Sequence, residues 1–181
     1  MDLKKSYERF LYRRNPVKEL KKMGLKVGKN FAMMPGCHLD MGHVFHISIG
    51  DNVTLAPNVT ILAHDASTAK HLNATRIGKV NIGNKVFIGA GTIILPGVNI
   101  GDNVIIGAGS VVSKDLMSDS VYAGNPVKHV YQMSEFLKKR RDEMRVSPRF
   151  TSDWKHDFGR GINDDIRAEM NRKIDRFGYV G

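Results

Sequence analysis

The stretch I-G-N-K-V-F-I-G-A-G-T-I-I-L-P-G-V-N-I-G-D-N-V-I-I-G-A-G-S-V-V-S-K-D, residues 82–115, decides the fold. It sets an aliphatic residue at every sixth position: Ile82, Ile88, Ile94, Ile100, Ile106 and Val112. Neither the 3.6-residue period of an α-helix nor the two-residue alternation of a half-buried strand generates that spacing. A solenoid of hexads does. Each hexad supplies one short strand and one turn, three hexads close a triangular coil, and the aliphatic residue points into the prism. Working outward, Ile49, Leu55 and Ile61 continue the period upstream, and Val27, Met33 and Leu39 form a weaker start. Stacked coils place parallel strands about 4.8 Å apart, so the aliphatic ladders merge into one core. The glycine that follows most of these residues is expected to accommodate a backbone that a Cβ would strain.

The rest of the chain bounds what surrounds this prism. A length of 181 residues with 41% hydrophobic content suits one well-buried core with decorated ends. Asp2, Lys4, Lys5, Glu8, Arg9, Arg13 and Arg14 leave no room for an apolar secretory stretch in the first fifteen residues, so a cytoplasmic location is expected. The longest uncharged run, between Lys85 and Asp102, is broken by glycines, Pro96 and Asn99 and reads as core, so no membrane insertion is expected. Cys37, the single cysteine, has no disulfide partner within the chain and fits a reducing compartment. The net charge of +10 is carried by the ends: ten basic against three acidic residues in 1–30, five against six in 31–127, and thirteen against nine in 128–181. Charge that flanks a neutral centre reads as solvated helix faces or as attraction for an anionic ligand, and no nucleic-acid partner is expected.

The ends change period. Leu3, Tyr7, Phe10 and Leu11 follow helical spacing, and a second short helix fits Val17 to Met23 before Gly24. Met133, Phe136 and Leu137 predict a helix running into Lys138–Arg141. Asn163 is placed to cap another, with Asp164 and Asp165 in its first turn, Ile166, Met170, Ile174 and Phe177 on one face, and Gly178 at its end. The organisation expected is an N-terminal helical cap over 1–24, a β-helix over 25–131 and a C-terminal helical extension over 132–181. The helices are expected to cover the open ends of the prism, where strand edges would otherwise be bare.

Function has to come from the breaks in the period. One is C-H-L-D-M-G-H-V-F-H at 37–46; the other lies between Ile61 and Ile82 and contains His64 and His71.

The run I-G-D-N-V-T-L-A-P-N-V-T-I-L-A-H-D at 49–65, with I-L-P-G-V-N-I-G-D-N-V-I-I-G-A-G-S-V-V-S-K-D at 94–115 and A-G-N-P-V-K at 123–128, resembles the maltose and galactoside acetyltransferase branch of the hexapeptide-repeat acyltransferases. It looks closer still to the related polysaccharide and sugar O-acetyltransferases. The resemblance covers roughly residues 25–131. It implies a left-handed parallel β-helix, all-β apart from short helices at the two ends, a homotrimer with active sites between neighbouring prisms, and acetyl-CoA as acyl donor with no metal required. It also implies His64 as the catalytic base, Asp40, His43 and His71 around the acceptor, and a cofactor groove formed by Ala90, Ala108, Ser113, Lys114, Asn125, Pro126 and Lys128. The Ala90 N–H is the expected oxyanion donor, and Lys114 and Lys128 are expected to meet the phosphates. Phe87 stands where the galactoside branch has Trp, and Tyr131 where that branch often has a phosphate-binding Arg.

The chemistry asked of these residues is modest. A thioester is already activated, so an acceptor hydroxyl or amine needs a base, a position close to the carbonyl, and a donor for the developing oxyanion. Neutral imidazole near physiological pH is suited to the first role. Asp65 is placed either to orient the His64 ring or to cap its own loop. Transfer to a sugar hydroxyl is the reading adopted, with N-acetylation of an amino or nucleotide sugar beside it. Two readings from other classes stand further off: a γ-type carbonic anhydrase-like zinc protein using His43, His46, His64 and His71, and a non-catalytic scaffold.

Overall fold

The computed structural model describes residues 16–150 and 164–181. The helical spacing at Leu3 to Leu11, the tail residues Trp154 and His156, and the cap expected at Asn163 lie outside the described residues.

Three parallel sheets form the faces of a β-helix. The first pairs Lys26–Val27, Ile47–Ile49, Val80–Ile82 and Asn99–Ile100. The second pairs Ala32–Met33, Thr54–Leu55, Phe87–Ile88, Val104–Ile106 and Ser120–Ala123, with Lys128–Gln132 added antiparallel at its edge. The third pairs His38–Leu39, Thr60–Ile61, Ile93–Ile94 and Val111–Val112. In register, Val27, Ile49, Ile82 and Ile100 form one internal ladder, Met33, Leu55, Ile88 and Ile106 the second, and Leu39, Ile61, Ile94 and Val112 the third. These are the residues the six-residue period selects. Leu55, Ile61, Ile88, Ile94 and Ile106 are fully buried, each contributing roughly 1.5–3 kcal/mol relative to exposure. A partial fifth coil, which the period does not reveal, follows: Leu116 bridges Ile100 and Tyr122 pairs with Ile106, at a spacing of sixteen residues.

The glycines after the aliphatic positions serve a different purpose from the one expected. Positive φ is found instead at Gly91, Gly97 and Gly109, the second glycine of the I-G-A-G hexads or the one after proline. The glycine directly after the aliphatic residue is required by close approach of the next coil: a Cβ on Gly83 would lie 2.8 Å from Gly101 C and 2.9 Å from Asp102 N. Side chains tie the same corner together from coil to coil. Asp51 Oδ1 accepts Lys29 N at 2.7 Å, Asn84 Oδ1 accepts Asp51 N at 2.8 Å, and Asp102 Oδ1 accepts Asn84 N at 2.6 Å.

The helix Pro16–Lys22 precedes the first strand, with Leu20 and the following Leu25 joining the core. Cys37 is buried in that core with its thiol against Ala56 O, and burial pushes its pKa up. After Met133 the chain divides into two compact units. The second covers Ser134–Gly181. It contains most of the fourteen-residue helix Met133–Val146, the ten-residue helix Asp164–Lys173, and the strands Arg149–Phe150 and Tyr179–Val180 paired in parallel. The Tyr179 hydroxyl donates to Glu143 Oε1 at 2.7 Å, tying the last strand to the first helix. Ile174 and Phe177 fall beyond the end of the later helix. Among the described residues no helix is long and apolar enough to cross a membrane.

Candidate active site

Both breaks in the hexad period become excursions at the corner between the third and first sheets. The first leaves Leu39, passes Asp40 and makes a 3-10 segment over Met41–His46, anchored by the fully buried Val44. The second spans 62–79. Its strands His64–Asp65 and Arg76–Ile77 pair antiparallel, with a single helical turn, Ala69–Leu72, between them.

The excursions meet at Asp40. Its carboxylate is only 4% exposed; Oδ2 accepts Ala63 N at 3.0 Å and bonds His64 Nδ1, while Oδ1 lies 3.6 Å from His43 Nδ1. Burial is the largest single influence on this carboxyl and opposes its charge. The bonds from His64 and Ala63 N–H, with the nearby imidazoles, outweigh it and hold Asp40 below the usual carboxylate range. An ionised carboxylate only accepts hydrogen bonds. When the His64 ring is neutral, its proton therefore resides on Nδ1 and its lone pair on Nε2, the tautomer a general base requires. The ring of His43 packs 4.7 Å from that of His64 and 6.3 Å from that of His46. Its Nδ1 is buried and has no hydrogen-bond partner among the described residues.

His64 opens on a cleft of about 560 Å3 lined also by Asp65, Arg76, Leu95, Pro96 and Ser113. Asp65 does not orient the ring: its carboxylate accepts Ser67 N at 2.9 Å, and that bond first of all lowers its pKa. Arg76, directly opposite Asp65 in the hairpin, is a cleft residue that sequence reasoning missed, since it lies where no period or motif marks it. His71 is exposed on the helical turn and is not among the cleft residues.

The expected cofactor residues divide between two corners. Ser113 lines the His64 cleft, with Lys114 exposed beside it. Ala90 and Ala108 are exposed at the corner between the second and third sheets, stacked through a 2.8 Å bond from Gly109 N to Ala90 O. The Ala90 N–H takes no part in these bonds. Asn125, Pro126 and Lys128, all exposed, belong to a segment laid against that second corner: Gly124 N donates to Ser110 Oγ at 3.1 Å, and Val111 N to Gly124 O at 3.0 Å. Phe87 is partly exposed on the outer side of the second sheet, and Tyr131 pairs opposite Val121 at its edge. The third sheet separates the two corners by one hexad, roughly 20 Å of extended chain.

A three-sided β-helix wound from hexads, with a carboxylate-held histidine on its excursions, is a scaffold of the hexapeptide-repeat class. Residues 79–114 match the family model described as bacterial transferase hexapeptide (six repeats). The Bacillus subtilis (strain 168) protein YvoF is 43% identical over 120 residues, covering 64% of this chain and 66% of its own length. A maltose O-acetyltransferase from Clostridium difficile 630 is 35% identical with a TM-score of 0.52, covering 63% of this chain and 72% of that one. A galactoside acetyltransferase in complex with coenzyme A is 30% identical with a TM-score of 0.54, covering 72% and 76%. The chain belongs to the hexapeptide-repeat acetyltransferase family.

Proposed function

We propose that this protein transfers acetyl from acetyl-CoA to a hydroxyl of a sugar or polysaccharide precursor, with His64 as general base at the interface between two prisms of a left-handed β-helical trimer. The observation that carries the reading is the bond between His64 Nδ1 and the ionised Asp40, which leaves Nε2 able to accept a proton at the cleft. The relatives named for maltose and galactoside acetylation, and the one bound to coenzyme A, support the donor and the acceptor class.

The sequence of events is short. The acceptor hydroxyl gives its proton to His64 Nε2 as its oxygen attacks the thioester carbonyl. The tetrahedral oxyanion is met by a backbone N–H, and collapse expels the CoA thiolate, which recovers the proton from the imidazolium. Asp40 holds the ring's tautomer and stabilises its cationic form. Ala90 cannot supply the oxyanion donor to the His64 of its own chain, because the two lie at different corners of the prism. A neighbouring copy that presents its Ala90 corner to this cleft completes the site.

The test compares wild-type and His64→Ala protein, given acetyl-CoA with a panel of neutral, amino and nucleotide sugars, by free thiol release. The expected result is acceptor-dependent release that falls at least about a hundredfold in the variant. Equal rates would remove His64 from the reaction, and failure of the wild type to bind CoA in calorimetry would remove the acyltransferase reading itself.

A further inference from the structure

The contact set around Asp40 has a chemistry that acetyl transfer does not use. Asp40, His43 and His64 each offer one ligand-type atom, and the three atoms lie within 4.8 Å of one another. Two imidazoles and a carboxylate are a preferred donor set for zinc and neighbouring divalent transition metals. His43 is the informative member. Its Nδ1 is buried and has no hydrogen-bond partner among the described residues, although an unsatisfied buried polar atom costs free energy, and it lies 3.6 Å from Asp40 Oδ1. Two ligands of one tetrahedral zinc stand about 3.3 Å apart, given bond lengths near 2.0–2.1 Å. That edge of the coordination shell is therefore almost formed. His64 Nδ1 and Asp40 Oδ2 are in direct hydrogen-bond contact, so this pair has to part to about the same edge length, roughly 3.3 Å, to admit a metal between them.

We infer that Asp40, His43 and His64 form a binding site for a zinc-class divalent cation, and that metal binding and base catalysis exclude each other at this histidine. The inhibitory consequence rests on the role of His64 proposed above; the site does not. Charge and protons balance without an added reactant. Asp40 is already a carboxylate, and His64 and His43 bind as neutral imidazoles. The metal takes the lone pair at His64 Nδ1, and the proton displaced from Nδ1 goes to Nε2. The ring then presents an N–H to the cleft and has no lone pair left to take a proton from an acceptor. Three protein ligands leave one position for water.

The experiment titrates metal-free protein with zinc by calorimetry and with cobalt(II) by visible absorption, in the absence of acetyl-CoA. His43→Phe is the principal variant, because it keeps the ring contacts with His64 and His46 and removes only the ligand atom. Asp40→Asn is the second, His38→Ala the control, and thermal melts establish that each is folded. The expected result is one metal per chain, an intense tetrahedral cobalt spectrum, and an affinity that falls more than about tenfold in both ligand variants and is unchanged in the control. No binding by the wild type, or equal binding by wild type and His43→Phe, overturns the site whatever the fate of the acetyltransferase reading. In the second arm zinc is expected to suppress acetyl transfer by the wild type and chelator to restore it. Full activity from zinc-loaded protein would overturn the mutual exclusion.

Discussion

His64 and Asp40 are 24 residues apart in sequence and meet because each lies on an excursion that leaves the third sheet at the same corner, one coil apart. Replacing Asp40 by Asn keeps the shape but substitutes a neutral amide for the acceptor-only carboxylate, so His64 is free to carry its proton on Nε2. Acetyl transfer by Asp40→Asn is expected to lose at least about tenfold in kcat with little change in KM for acetyl-CoA; an unaltered kcat would show that tautomer control at this pair is irrelevant. The same carboxylate links stability to pH. Its folded pKa is depressed, so its contribution is complete above the unfolded-chain value of about 3.9 and fades as pH falls below that toward the lower folded value. The Tm gap between wild type and Asp40→Asn should accordingly shrink as pH falls below about 4. A gap that persists unchanged at pH 3 would contradict the depressed pKa.

The hexads show why two kinds of glycine that look alike in sequence are not interchangeable. Gly83 faces backbone of the next coil, and a methyl group there has no room; Gly83→Ala is expected to cost about 1–3 kcal/mol, read from urea unfolding midpoints. Gly91 has φ of +68°, and a Cβ there would meet nothing within 4 Å. Asn52 and Asn103 adopt φ of 58° and 55° in other turns of the same helix. Gly91→Asn is therefore expected to stay within about 1 kcal/mol of wild type. If Gly83→Ala unfolds with the wild-type midpoint, close coil packing is not what requires glycine there. The contrast marks how far sequence reading reaches. The ladders from Val27 to Val112 were legible because burial of one residue in six imposes the period directly. The Asp40 to His64 bond was not, because neither excursion carries a period and their paths depend on Val44 and on the hairpin between His64 and Ile77. Arg76 escaped for the same reason, and the partial coil through Leu116 and Tyr122 escaped because the step from Val112 to Leu116 is shortened from six residues to four.

The division of the expected site between two corners has its consequence in the proposed trimer. His64, Asp40 and Ser113 belong to the edge between the third and first sheets, and Ala90, Ala108 and the segment from Asn125 to Lys128 to the edge between the second and third. In the proposed reaction both sets carry parts of one site, so a chain acting alone has two half-sites facing different directions. A closed threefold ring would bring the first edge of each copy against the second edge of its neighbour and make three equivalent complete sites. That arrangement can be tested with two variants that are each inactive for a different reason: His64→Ala, which lacks the base, and Ala108→Trp, which fills the exposed groove corner. A site in a mixed trimer works only when His64 comes from an Ala108→Trp chain and the groove from a His64→Ala chain. After unfolding and refolding an equimolar mixture, three quarters of randomly assembled trimers are mixed and each holds one working site of three, so about a quarter of wild-type activity is expected. Activity no greater than that of the separate variants would place the whole site within one chain and remove the shared-site trimer.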